Sequence, residues 1–211
     1  MSTKTSAAGA LGQALWLLLL VLSGGIKAGD ESGHDLLSAL RAGGYVILMR
    51  HASSPGTPPD ATQVDVGNPN RERQLDEAGR SCARDLGEAL RRLGIPIGNV
   101  LSSPTYRAVE TVRLAGLGEP KTFSQLGDNG QSMMLDTSGS RAAWLKSLAA
   151  EPPTPGTNTI IVTHFPNITE AFPQVAAGLA DGDAVILHSD GRGSAIVVAR
   201  LKIGDWSKLG R

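Results

Sequence analysis

The spacing of apolar residues changes period several times along the chain, and each change predicts an element. Leu36, Leu37 and Leu40 share a helical face after Ser32 and Asp35, whose spacing reads as a helix start, and Gly43-Gly44 ends it. Tyr45-Val46-Ile47-Leu48-Met49 is an almost unbroken apolar run of strand length, which suits a parallel strand buried on both faces. Residues 52–74, rich in Pro, Gly, Asp and Asn, hold no sustained period and predict a long functional loop. From Glu77 to Leu93 the helical period returns, with Cys82, Leu86, Ala89, Leu90 and Leu93 on one face and Gly94 closing it.

Asn99-Val100-Leu101-Ser102 predicts a short strand. Ser103-Pro104 reads as an N-cap followed by proline at the first helical position, opening a helix to about Ala115. Residues 116–140 hold only a hint of strand at Lys121-Thr122-Phe123. Ala142 to Ala149 is helical, Glu151 to Gly156 is a connector, and Thr159-Ile160-Ile161-Val162-Thr163 is another buried strand. Pro166 opens the next helix, with Ile168, Ala171, Phe172 and Val175 inward; Ala184–Leu187 and Ala195–Val198 flank the hairpin signal Asp190-Gly191. This alternation predicts an α/β fold: a three-layer α/β/α sandwich with a mainly parallel sheet and a C-terminal antiparallel hairpin.

The 211-residue length suits one domain. Lys plus Arg number 20 and Asp plus Glu number 20, so the basic excess of a nucleic-acid binder is missing, and any anion site must come from a few placed residues. Cys82 is alone, which excludes an intramolecular disulfide and a cysteine zinc site; its place in the amphipathic pattern reads as a buried thiol. At the N-terminus the apolar run Ala14–Leu22 is shorter than the ~20 residues a bilayer span needs. With Lys4 before it and Ile26-Lys27-Ala28 after it, the run resembles a secretory signal peptide over residues 1–28. The domain would then be residues 29–211, periplasmic or secreted, with no stable membrane span after cleavage. The alternatives are anchoring through an uncleaved N-terminus and a buried helix. The sequence carries no signal for an oligomeric state.

Candidate chemistry collects at strand ends. One apolar strand runs into Arg50-His51, another into His164, and a third ends at Ser102-Ser103, before a helix carrying Arg107. Ligands of parallel sheets bind at the carboxyl ends of the strands. If the strands are parallel, two guanidiniums, two imidazoles and a helix N-terminus meet at one rim as a receptor for a dianionic phosphate. Carboxylates and thiolates are too few there for a metal site, and no cofactor is implied. Taken singly, each residue has a plainer reading: a strand-end histidine is usually structural, and an arginine in a first helical turn usually lies in solvent. Two strands ending alike need a shared reason.

These residues resemble a known family. Leu48-Met49-Arg50-His51-Ala52 is similar to the arginine–histidine–glycine signature of the histidine phosphatases, the superfamily that includes phosphoglycerate mutase; alanine replaces glycine, as in its small phosphohistidine-phosphatase subgroup. Leu75 with Gly79, Ser102 through Thr111 and Val162-Thr163-His164 are similar to its helix opening, second-arginine motif and second-histidine motif, in family order over residues 36 to 201. The resemblance implies a phosphomonoester hydrolase. His51 would be the nucleophile and become phosphorylated, Arg50, Arg107 and His164 would bind the phosphoryl oxygens, and water would release phosphate. The partner would be a small phosphorylated substrate or a phosphorylated envelope component. Ser53-Ser54-Pro55-Gly56 after His51, with no long acidic insert, departs from the mutase members, and the sequences around Arg41–Tyr45, Arg73–Leu75 and Gly182-Asp183 look most like exported bacterial members. For the general acid the candidates are Asp183, Asp128, Asp136 and Asp65. Asp183 is preferred because similar exported members have a glycine–acid pair there, although a turn residue closing Ala180-Asp181-Gly182 reads almost as well. A non-catalytic phosphate-ligand-binding module, a phosphomutase and a purely structural α/β protein stay open beside the hydrolase.

Overall fold

The computed structural model describes residues 31–55, 70, 72–128 and 139–210. The segment read as a signal peptide, most of the 52–74 loop, Asp65 and Asp136 lie outside the described residues.

Helix α1 (Glu31–Ala42) leads into β1 (Tyr45–Arg50), α2 (Glu77–Arg92) and β2 (Ile97–Ser102). Then follow α3 (Tyr106–Leu114), β3 (Lys121–Thr122), α4 (Ser140–Ala150), β4 (Asn158–Thr163), α5 (Phe165–Ala171), β5 (Ala184–Ser189) and β6 (Ala195–Leu201). The strands form one sheet in the order β3-β2-β4-β1-β5-β6. Strands β3, β2, β4 and β1 are parallel, while β5 runs antiparallel to β1 and pairs with β6 as the expected hairpin.

The apolar runs are buried because both sheet faces are covered. Ile47, Leu48 and Met49 on β1 and Ile160 and Ile161 on β4 have no exposed surface. Each such side chain contributes about 1.5–3 kcal/mol relative to exposure. Alternation sends Ile47, Met49, Ile160 and Val162 to one face, packed by α1, α2, α3 and Trp206. Val46, Leu48 and Ile161 face the other layer, built from α4, α5 and the segment from Phe172 to Leu179. The three layers match the expectation.

Several local readings are corrected. Helix α3 begins at Tyr106, not Pro104, and its N-cap residue is Thr105. The Ser103 hydroxyl instead accepts the Thr105 N–H at 3.2 Å, folding Ser103-Pro104 into a turn ahead of the helix. On α2, Ala83 takes the fully buried position and Cys82 is only half-buried. Helix α5 stops at Ala171, so Val175 reaches the core from a separate short 3-10 turn. Strand β2 starts two residues early, at Ile97, with a register irregularity by Asn99.

Candidate active site

Because β2, β4 and β1 are neighbours and parallel, their carboxyl ends deliver Ser102-Ser103, His164 and Arg50-His51 to one rim. The following backbone is tied down across the rim: His51 N–H donates to the Thr163 carbonyl and Ser103 N–H to the Val162 carbonyl. Ala52 N–H donates to the Thr111 hydroxyl on α3 at 3.1 Å. Ala52 itself is buried with Leu75 and Ala83, which gives its methyl group a place to pack. Gly79 lets α2 press on the chain just after the nucleophile candidate, since a side chain there would collide with the Ser53 backbone. Asp76 caps that helix, accepting from Gly79 N–H and from the Ser53 hydroxyl, each at 2.7 Å.

Arg107, on the first turn of α3 and 2% exposed, is the hub. Its Nε donates to His51 Nε2 at 3.2 Å. Its Nη2 donates to His164 Nδ1 at 3.2 Å and forms a close ion pair with Asp128. These contacts fix both tautomers. His51 Nδ1–H donates to the Ala52 carbonyl at 2.8 Å, so Nε2 carries the lone pair that faces Arg107. His164 accepts at Nδ1, so its Nε2–H donates to the Ser103 hydroxyl at 2.9 Å, with the Thr105 hydroxyl 3.3 Å away. The two rings stand edge to face with centroids 5.2 Å apart.

Burial first, then Arg107, Arg73 and Arg50, push the pKa of His51 from 6.5 down to about 3, against the opposing pull of the Ala52 carbonyl. Burial, Arg107 and the neighbouring His51 likewise drive His164 well below the ordinary histidine value. Both imidazoles are therefore neutral at neutral pH, the form in which a histidine nitrogen can act as nucleophile.

The cavity over this cluster is about 280 Å³. Arg50, His51, Arg107 and His164 all line it, so the structure brings together the four residues read from the strand ends. Arg73, Asp128, Phe165 and Pro166 line it as well. Arg73 donates from Nε to the Ser54 hydroxyl at 3.0 Å, and burial with Arg107 beside it lowers its pKa. The sequence pattern gives neither Arg73 nor Phe165 a place in the site: one follows an aperiodic loop, the other looks like a helix-start residue. Asp183 does not join the cluster. Its carboxylate accepts Ala180 N–H at 3.0 Å and pairs with Arg200 at 2.9 Å, closing the turn before β5. Asp128 is the candidate carboxyl that the structure brings to the cavity; its Oδ1 is buried without a partner among the described residues.

Residues 46–126 match the family model described as Histidine phosphatase superfamily (branch 1). No curated protein matches the chain. The fold is shared with solved structures of low identity. The protein histidine phosphatase SixA complexed with tungstate is 19% identical, with a TM-score of 0.55 over 76% of this chain and 98% of that one. A mutant of phosphoserine phosphatase from Entamoeba histolytica, in complex with phosphoserine, is 13% identical, with a TM-score of 0.53 and coverage of 76% and 98%. The product of open reading frame Rv3214 from Mycobacterium tuberculosis is 15% identical, with a TM-score of 0.51 and coverage of 74% and 96%.

Proposed function

We propose, on the premise that residues 46–126 belong to the histidine phosphatase superfamily, that this chain hydrolyses phosphate monoesters through a phosphohistidine on His51. The observation that carries the reading is the neutral, tautomer-fixed His51, with its Nε2 lone pair turned to a cavity lined by three arginines. A phosphoryl dianion entering there exchanges with Nε2 for the Arg107 N–H. Arg107, Arg50 and Arg73 then hold its oxygens, and neutral His164 steadies the Arg107 guanidinium by accepting its Nη2–H at Nδ1. Nε2 attacks phosphorus as the ester P–O bond breaks, and the leaving oxygen takes a proton. Water next attacks phosphorus, the P–N bond breaks with its electron pair returning to Nε2, and phosphate leaves. Fixed cations suit this chemistry, since phosphoryl transfer depends mainly on positioning and charge stabilisation.

For the leaving-group proton we assign Asp128 in place of Asp183, which is committed outside the cavity to Ala180 and Arg200: Asp128 lines the cavity beside Arg107, and it acts in its protonated form once the phosphoryl dianion has taken the Arg107 guanidinium from it. The test joins both assignments. His51→Ala abolishes turnover, and rapid quenching of the wild type traps acid-labile phosphate on His51. Asp128→Asn slows an alkyl phosphate about 10²–10⁴-fold and an activated aryl phosphate much less. Full activity of His51→Ala, or label on another residue, overturns the reading. Transfer of the label to an organic acceptor instead of water would identify a mutase. The substrate class we propose is a small phosphomonoester or a phosphorylated envelope component. The three solved structures support only the shared architecture. Export stays a proposal resting on the residue 1–28 pattern; mass spectrometry of the exported fraction should find a terminus near Gly29, and an intact Met1 in the membrane fraction would refute it.

A further inference from the structure

Arg50 leaves the carboxyl end of β1 with its guanidinium fixed on three sides. Nη2 forms a 2.6 Å ion pair with Asp181. Nη1 donates to the Leu179 carbonyl at 3.2 Å, and the Phe165 ring lies 5.4 Å from Cζ. Nε is different: it is buried and has no hydrogen-bond partner among the described residues. A buried donor left unpaired costs ~1–3 kcal/mol, so this N–H marks where an incoming acceptor is due. Arg50 lines the cavity, whereas Asp181 does not.

Asp181 therefore grips the arginine from behind. It sits in the turn Ala180-Asp181-Gly182 ahead of β5, where Gly182 has φ +77° and packs against the Ile203 side chain. The Ser54 N–H, in the segment after His51, also favours its ionised form. The charged groups that face it are Arg50 and Arg73, which favour the carboxylate, and Asp76, which opposes it.

We infer that Asp181 is a positioning residue: it holds Arg50 so that Nε–H is left for a phosphoryl oxygen. The inference rests on the phosphate-monoester reading above. It gives each of two phosphoryl-binding arginines its own carboxylate, Asp128 for Arg107 inside the cavity and Asp181 for Arg50 outside it. Half-burial raises the Asp181 pKa from its ordinary value. As pH falls through that raised value the carboxylate protonates and loses its grip, so anion affinity falls on the acid side.

The test is calorimetric binding of sulfate, a phosphate isostere whose charge is constant in the range, by the full chain from about pH 4 to about pH 8. Wild type, Asp181→Asn and Arg50→Ala are compared, with thermal melts to confirm folding. Asn keeps the size but not the ion pair. Asp181→Asn should bind sulfate about tenfold more weakly near neutral pH, as expected for loss of a charge-assisted anchor. The acid-side decline seen in wild type should be missing from the variant. Equal affinity and an equal pH profile for Asp181→Asn, with Arg50→Ala impaired, overturn the role of Asp181 and leave the phosphate reading standing. Tighter binding by Asp181→Asn also overturns it, since the carboxylate would then be a competitor for Arg50. If Arg50→Ala binds like wild type, the anion does not use Arg50, and both readings fall.

Discussion

A histidine buried against a guanidinium resists protonation, and the folded chain bears the consequence in acid. His51 has its pKa lowered from 6.5 to about 3, and His164 is lowered in the same direction. The unfolded chain binds those protons near pH 6.5, whereas the folded chain refuses them until far lower pH. For His51 the stability is complete above about pH 6.5 and declines as pH drops toward about 3, by at most about 1.4 kcal/mol per pH unit, and His164 adds a loss of the same sign. Urea unfolding of wild type and of His51→Asn, in which the amide N–H can still meet the Ala52 carbonyl, should give a shallower decline for the variant between about pH 6.5 and about pH 5. Identical slopes would mean that His51 titrates normally. At this scale the sequence exposed Arg50, His51, Arg107 and His164, since each follows a strand whose period is readable. It hid Arg73 and Asp181, because their roles depend on turns that approach the rim from distant parts of the chain.

Helix α3 takes its N-terminal support from outside itself. Thr105 makes no side-chain cap; instead the buried Glu72 carboxylate accepts the Tyr106 N–H at 2.5 Å. An anion at that position also complements the helix dipole. Glu72→Ala should cost about 1–2 kcal/mol in denaturant unfolding, as lost N-caps do, and should lower turnover because Arg107 rides on the same first turn. Glu72→Gln should recover most of the stability. No change in either variant would assign the cap to another group. Sequence pattern places the start of this helix too early because Ser103-Pro104 has the composition of an N-cap, while the acceptor that replaces it lies 34 residues before Tyr106. Helix α2, by contrast, was legible to within a residue: its period is strong, and Asp76 and Gly94 bracket it locally.

At the scale of the molecule, the alternation of strand and helix carried the three-layer sandwich, and the Asp190-Gly191 signal carried the antiparallel hairpin. The strand order was not readable, because no local pattern says that β4 inserts between β1 and β2. That insertion is what makes the rim. Parts separated by more than a hundred residues become neighbours only when β4 has paired on both sides, so no fragment ending before β4 can hold the anion. A ligand bridging these three strand ends binds the complete fold and not the unfolded chain, and it shifts the folding equilibrium by RT ln(1 + [L]/Kd). Occupancy of the rim is thereby a thermodynamic clasp on the whole sheet: phosphate, the proposed product, would lend the chain resistance to unfolding that grows with the logarithm of its concentration above Kd.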